Sequence, residues 1–384
     1  MPELRASLAA LALATALPFV AVPSAVAETT MVVTELGRLT SHPDHYVTGI
    51  NDLGQVVGSA QGHGLPAHVV LWSPRGGASD LGPGLAVGIN RRGQVLGLET
   101  RAAVAPYRHK PWIWSDGART TVMQAYAAWA TAPAINGNGV VPVNYSTSLI
   151  RRDHNRAAVW QAGRHTELSL SGPDLWVYGI NDAGAVAGSY ASAADQDFAA
   201  VRCVDGACTR LGGSSGYGPY IPEGINEAGV VVGNRGTVAL RWEGDEATEL
   251  SENGRVAHGE QSLNERGDAV GWAAGEDGVP HAVLWPAGGK QVELAVPAPA
   301  EAVGINERGD VIGWTAANEW SSPRGFLWRD GRVTYLDPPT GHYSLPVAIN
   351  DHGVVVGHTT GTDSTNRPVV WTPVPTTHDR WALW

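Results

Sequence analysis

Short apolar runs, each ended by a polar turn, recur along this chain, and one ten-residue phrase built from two of them is written eight times. It reads GINDLGQVVG from Gly49, GINRRGQVLG from Gly88, AINGNGVVPV from Ala134, GINDAGAVAG from Gly179, GINEAGVVVG from Gly224, SLNERGDAVG from Ser262, GINERGDVIG from Gly304 and AINDHGVVVG from Ala348. Its asparagines fall at 51, 90, 136, 181, 226, 264, 306 and 350, a spacing of 38 to 46 residues. The apolar residue before each Asn ends one strand, the Asn opens a turn, and the Val-Val-Gly type residues begin the next strand. Glycine stands three residues after every Asn, where a type I turn followed by a left-handed residue demands positive φ. The Asn side chain can cap that turn by bonding its own backbone.

Some twenty residues further on, a third strand ends at Trp72, Trp114, Trp160, Trp242, Trp285, Trp328 and Trp371; in the fourth repeat Arg202 takes the Trp position. A short DG or GG turn leads to a fourth strand, seen as TEL at Thr166 and Thr248, VEL at Val292 and TYL at Thr334. Only 121–131 reads as helical. Four short strands per ~43 residues predict an all-β, eight-bladed β-propeller of four-stranded blades. A seven-bladed propeller and an open β-solenoid are the alternatives. The ends favour a closed ring: MVVTELG near the start copies the fourth-strand pattern, whereas the last repeat stops after its third strand, PVVWTP. Residues 31–36 thus supply the strand that the last blade lacks, and closure removes two exposed edges. The third repeat departs from the pattern with Pro142 and with Val143 in place of the final Gly, which predicts a bulged or short blade. The sixth has Leu263 for Ile.

The phrase [GA]-I-N-x-x-G-x-V-x-G followed by H-A-x-L-W resembles the HAF-type probable extracellular repeat family, found mainly in secreted bacterial proteins. The resemblance covers the chain from about Met31 to Pro373. It implies the repeat architecture and export, and it carries no established activity.

Residues 1–27 look like a signal peptide, with Arg5 before an apolar run and Ala25-Val26-Ala27 as the cleavage signal. The expected organisation is therefore a signal peptide at 1–27, one propeller domain at 28–375 and an aromatic tail at 376–384, the product being secreted and extracellular. No later run approaches the ~20 apolar residues of a membrane helix, so no membrane insertion is expected. The net charge of -11 opposes nucleic acid. A monomer is expected. The two cysteines flank Asp205-Gly206, a two-residue hairpin turn that places Cys203 opposite Cys208, and an oxidising compartment makes that pair a disulfide.

If the strands run up and down, the NxxG and DG turns share one face and are tight in nearly every repeat. The remaining connections share the opposite face, vary in length, and make it the face for recognition. They hold Tyr126, Trp129, Trp176, Tyr178, Tyr217, Tyr220, Trp320, His342 and Tyr343, rings suited to sugar faces or peptide side chains. Glu223, His258, Glu260 and Glu301 precede first strands and are expected near the channel mouth. The reading is a binding or interaction module for an extracellular glycan or protein, with no cofactor and no metal. The alternative is a propeller hydrolase or lyase acting on polysaccharide or peptide, with catalytic residues drawn from several blades.

Three motif matches carry no weight. Gly212 to Gly216 fits G-x-S-x-G without the following helix that a nucleophile elbow needs. Arg-Gly-Asp occurs at Arg266 and at Arg308, both within the tight turn. His68, His109 and His281 recur at the start of third strands, a structural position rather than a metal site.

Overall fold

The structure is a computed structural model that describes residues 30–374 apart from 76, 101–108, 124–128, 148–154, 171–173, 193–196, 214–217, 317–321, 341–342 and 362. The expected signal peptide and C-terminal tail lie outside the described residues. Eight antiparallel four-stranded sheets form the ring of a β-propeller. Blades 1 to 7 span 44–83, 85–121, 129–167, 174–210, 220–251, 254–293 and 300–336; blade 8 joins 344–374 to Thr30–Glu35. The first strands surround a central channel. Thr30–Glu35 pairs antiparallel with Asn366–Val374, setting Thr34 opposite Val370 and Glu35 opposite Val369. The N-terminal strand therefore closes the ring, and both the seven-bladed and the open-solenoid alternatives fall.

Each blade is covered on both faces by its neighbours, so its middle strands bury consecutive apolar residues: Val56 and Val57 are both buried. The described buried apolar residues accordingly divide into eight clusters, one at each interface between blades.

The final Gly of the phrase is explained by the first strand. A β-bulge three residues before the Asn leaves Thr48, Val87, Tyr178, Glu223, Val303 and Val347 without a paired partner. The bent strand drives a carbonyl toward the second strand, so a Cβ on Gly58, Gly313 or Gly357 would overlap the carbonyl of Tyr46, Glu301 or Leu345. In blade 3 the first strand is only Trp129–Thr131 and pairs with Asn144 to Ser146. It ends before it reaches Val143, so the side chain is accommodated and the blade is short.

Two readings of the sequence need correction. Cys203, not Arg202, takes the Trp position of blade 4, since Val186 pairs with Cys203 as Val56 pairs with Trp72 and Val231 with Trp242. Arg202 instead matches Arg241: its guanidinium donates to the Gly229 carbonyl at 3.2 Å, as that of Arg241 donates to those of Gly267 and Trp285 at 2.7 and 2.9 Å. Cys203 is bonded to Cys208 across the Asp205-Gly206 turn, with Cα atoms 3.9 Å apart, and the pair belongs to the cluster between blades 3 and 4. A disulfide fills the space where other blades place an indole. Nor is 121–131 helical at its ends: Thr121 closes the fourth strand of blade 2 and Trp129–Thr131 opens blade 3.

Candidate functional site: the central channel

At the tight-turn end the eight asparagines form a closed circle. Each Asn Oδ1 accepts a backbone N–H four residues on, which is the cap the turn calls for. Each Nδ2 then donates to the carbonyl of the next blade's Asn, at 2.8 to 3.3 Å, and the last step runs from Asn350 to Asn51. All eight are buried. The glycine three residues on has φ between 72° and 87° in every blade, as the turn requires.

The residue after each Asn forms the rim of a chamber of ≈ 320 Å³. Six of these are carboxylates: Asp52, Asp182, Glu227, Glu265, Glu307 and Asp351. Each accepts the backbone N–H of the preceding blade's turn; examples are Glu227 N–H on Glu265 at 2.8 Å and Asp351 N–H on Asp52 at 2.9 Å. Arg91 is the one cation of the rim and pairs with Asp182 at 2.5 Å. Burial pushes the Glu265 and Glu307 carboxyls up. The sequence places recognition on the opposite face and assigns no chemistry to this end. The signal was present in the repeats, whose variable position after Asn reads D, R, G, D, E, E, E, D. Both Arg-Gly-Asp turns also lie here, with their aspartates turned to structural partners: Asp310 is buried and holds Arg329 at 2.6 Å, and Asp268 accepts from Ala287 N–H at 3.0 Å.

Blade 6 departs from the plan. Its first strand, Gly254–Val256, is short and gives way to a turn of 3-10 helix, Glu260–Ser262, which enters the channel. Gln261 reaches past blade 7 to blade 8, donating to the Ile349 carbonyl at 2.6 Å and accepting its N–H at 3.0 Å. Gly304 of blade 7 leaves room for it, since a Cβ there would lie 3.1 Å from Gln261 Oε1. This plug separates the acidic chamber from a second one of ≈ 400 Å³ on the variable-face side, and Glu260 and Gln261 line both. Glu260 keeps accessible surface because the lumen is hollow, yet protein surrounds it on every side, and that loss of bulk water decides its titration. Burial, with the charge of Asp182 second, pushes its carboxyl up to about 7.

The bulge position brings three of the expected residues together. Tyr178 and Glu223 occupy it in blades 4 and 5, where blades 1, 2, 7 and 8 have Thr or Val. Glu223 is buried, accepts from Asn234 Nδ2 at 3.0 Å and meets His258 Nδ1 at 2.6 Å. That bond raises the pKa of the exposed His258, while burial raises that of Tyr178. Glu223 and Glu301 lie within first strands rather than before them, and burial pushes the Glu301 carboxyl up. Trp176, half-buried, is two residues before Tyr178 on the same strand. Tyr343 lies 6.1 Å from His358, whose ring also meets Tyr46 at 5.8 Å, at the junction of blades 8 and 1. Tyr220 is buried against Trp242 and serves as packing between blades 4 and 5. Trp129 begins blade 3. Tyr126, Tyr217, Trp320, His342 and the serine of the G-x-S-x-G match lie outside the described residues.

Among the described residues no three His, Cys, Asp or Glu side chains converge to hold a metal ion. His68 and His281 pair instead with fourth-strand carboxylates, Asp80 at 2.9 Å and Glu293 at 2.6 Å.

No protein-family model matches the chain, and no curated protein matches it. Solved structures are similar to it. Dipeptidyl peptidase 4 from Porphyromonas gingivalis is 10% identical, with a TM-score of 0.57, over 91% of this chain and 62% of that one. A puromycin hydrolase mutant is 12% identical, with a TM-score of 0.49, over 86% and 60%. A catalytically inactive virginiamycin B lyase from Staphylococcus aureus is 12% identical, with a TM-score of 0.44, over 90% and 100%. At such identities the likeness to dipeptidyl peptidase 4 shows a shared propeller fold.

Proposed function

We propose that this is an exported binding propeller that takes an extracellular glycan or protein ligand on its variable face, at the mouth of the channel. The observation that carries this reading is the convergence of Tyr178, Glu223 and His258 at positions the repeat leaves free. The buried Glu223, fixed by Asn234, holds His258 as an exposed donor, and Trp176 is an aromatic residue on the strand that carries Tyr178. Export is supported by the N-terminal 27 residues, by the disulfide and by the HAF-type resemblance. No helix among the described residues is long and apolar enough to cross a membrane. A glycan array and a pull-down from cell-wall material test the reading. Binding should fall at least tenfold in Glu223→Gln and in His258→Ala; binding untouched by both, or no ligand from either source, would overturn it.

A second reading is favoured by Glu260. A carboxyl with a pKa of about 7 inside a concave chamber suits general acid or base work near neutral pH. Turnover of a polysaccharide or peptide that vanishes in Glu260→Gln with the fold intact would establish it; turnover unchanged in that variant would dismiss it.

A further inference from the structure

We infer that the variable-face chamber of the channel is a binding site for a small organic ammonium ion, an amine on a compact apolar body, with Glu260 as the carboxylate that receives the charged end. The chamber adjoins the face site, with which it shares His258, and its test uses ligands of a different class from those on the face.

The chamber's ≈ 400 Å³ lies within the range of small-molecule pockets. Its walls are the bulge residues Thr48, Val87, Val303 and Val347, together with Ile50 and Ile89 from the ends of first strands and Ile135 just before Asn136. They are rigid because the Asn circle and the interface clusters fix every blade. The floor is equally fixed. Gly259, at φ 94°, turns the chain inward, and the two Gln261 bonds to Ile349 anchor the plug on the far side. Glu260 is therefore held in the lumen by an anchored neighbour rather than by a loose loop. Its own carboxyl makes no hydrogen bond among the described residues.

That arrangement selects a class of ligand. An apolar molecule would leave a desolvated carboxylate unpaired, which is costly. An anion would meet Glu260 and, behind it, a rim of six carboxylates against one arginine. His258, which also lines the chamber, is already matched by Glu223. A bare divalent ion needs several oxygen ligands, and the chamber offers one carboxyl, with Thr48, His258 and Gln261 as its other polar side chains. An ammonium group satisfies the carboxylate while its apolar body covers the walls, and low-dielectric surroundings focus the negative field on it.

The test is calorimetric titration of the full mature chain with 2-phenylethylammonium, set against 2-phenylethanol, phenylacetate and methylammonium. The amine should bind at least tenfold more tightly than the alcohol, and the anion and the bodiless amine should not bind measurably. Glu260→Gln should remove the preference for amine over alcohol while leaving the affinity for the alcohol intact. Val347→Phe, which fills the chamber, should abolish both, with melting curves confirming that each variant is folded. Equal affinity for amine and alcohol, amine binding that survives Val347→Phe, or no binding of the amine at all would each overturn the proposal.

Discussion

The two ends of the channel are built by opposite rules. At the tight-turn end eight blades repeat one device: an Asn that caps its own turn and bonds the next blade's carbonyl, with a Gly that completes the turn. At the variable end the blades differ, and the differences are chemical: Tyr178 and Glu223 stand where blades 1, 2, 7 and 8 have Thr or Val, His258 pairs with Glu223, and blade 6 shortens its first strand and adds a plug. The contrast shows what the repeat is for. Identity is concentrated where eight units must meet in a circle, because a ring closes only if every step turns through the same angle. Positions between the fixed ones are free, and those that face the lumen carry the charge.

Four experiments would break or sharpen this contrast. The largest effect is expected from deleting residues 30–36. Blade 8 would then expose the edge of Asn366–Val374 and lose the burial of Leu36, Val33 and Met31. At roughly 1.5 to 3 kcal/mol per buried side chain the loss is several kcal/mol, and aggregation should follow from the open edge. Denaturant melts and light scattering measure both; a monomer of unchanged stability would refute closure as the main constraint.

Next is Asn306→Ala, which strands the Asp310 N–H within buried structure and leaves the Asn350 carbonyl with Gly353 N–H as its remaining donor. A cost of about 1 to 3 kcal/mol is expected in chemical denaturation. A cost below that of an ordinary surface substitution would mean that the circle is decorative.

Glu260→Gln tests a site that the scaffold tolerates at a cost. The folded-state pKa of Glu260 lies above its ordinary 4.5, at about 7. Between those values the folded chain keeps a proton that the unfolded chain has released, so stability falls as pH rises through that window. The glutamine variant should match the parent at pH 4 and exceed it at pH 8 by about 1 to 2 kcal/mol, discounting for water in the lumen. Identical pH profiles would show that the carboxyl is fully solvated. The smallest effect belongs to Tyr178→Phe, whose hydroxyl has Ser189, at 3.4 Å, as its hydrogen-bond partner among the described residues. Its stability should change by less than about 0.5 kcal/mol, while ligand binding on the variable face should weaken, and a glycan array separates the two.

The blade count, the four strands, the left-handed Gly of each turn and the closing strand were legible in the residues, because each follows from local rules: alternation of apolar runs, the φ that a turn demands and a missing pattern at one end. The hairpin disulfide was legible for the same reason. What could not be read locally depends on which blade lies beside which. That an Asn caps its turn is written within five residues; that its Nδ2 reaches a carbonyl 38 to 46 residues away exists only once the ring is closed. The sequence alone points to Arg202 as the Trp substitute because a one-residue offset is invisible without strand pairing, and only the register sets Cys203 opposite Val186. Glu260 stands out in the sequence as a charged residue near a first strand, yet its place in the lumen follows from Gln261 bonding a backbone 88 residues on in the chain. Sequence alone determined the ring, since every repeat carries its own turn and core pattern. Tertiary structure decided the channel, since its walls, rim and plug are made of residues that meet only across blades.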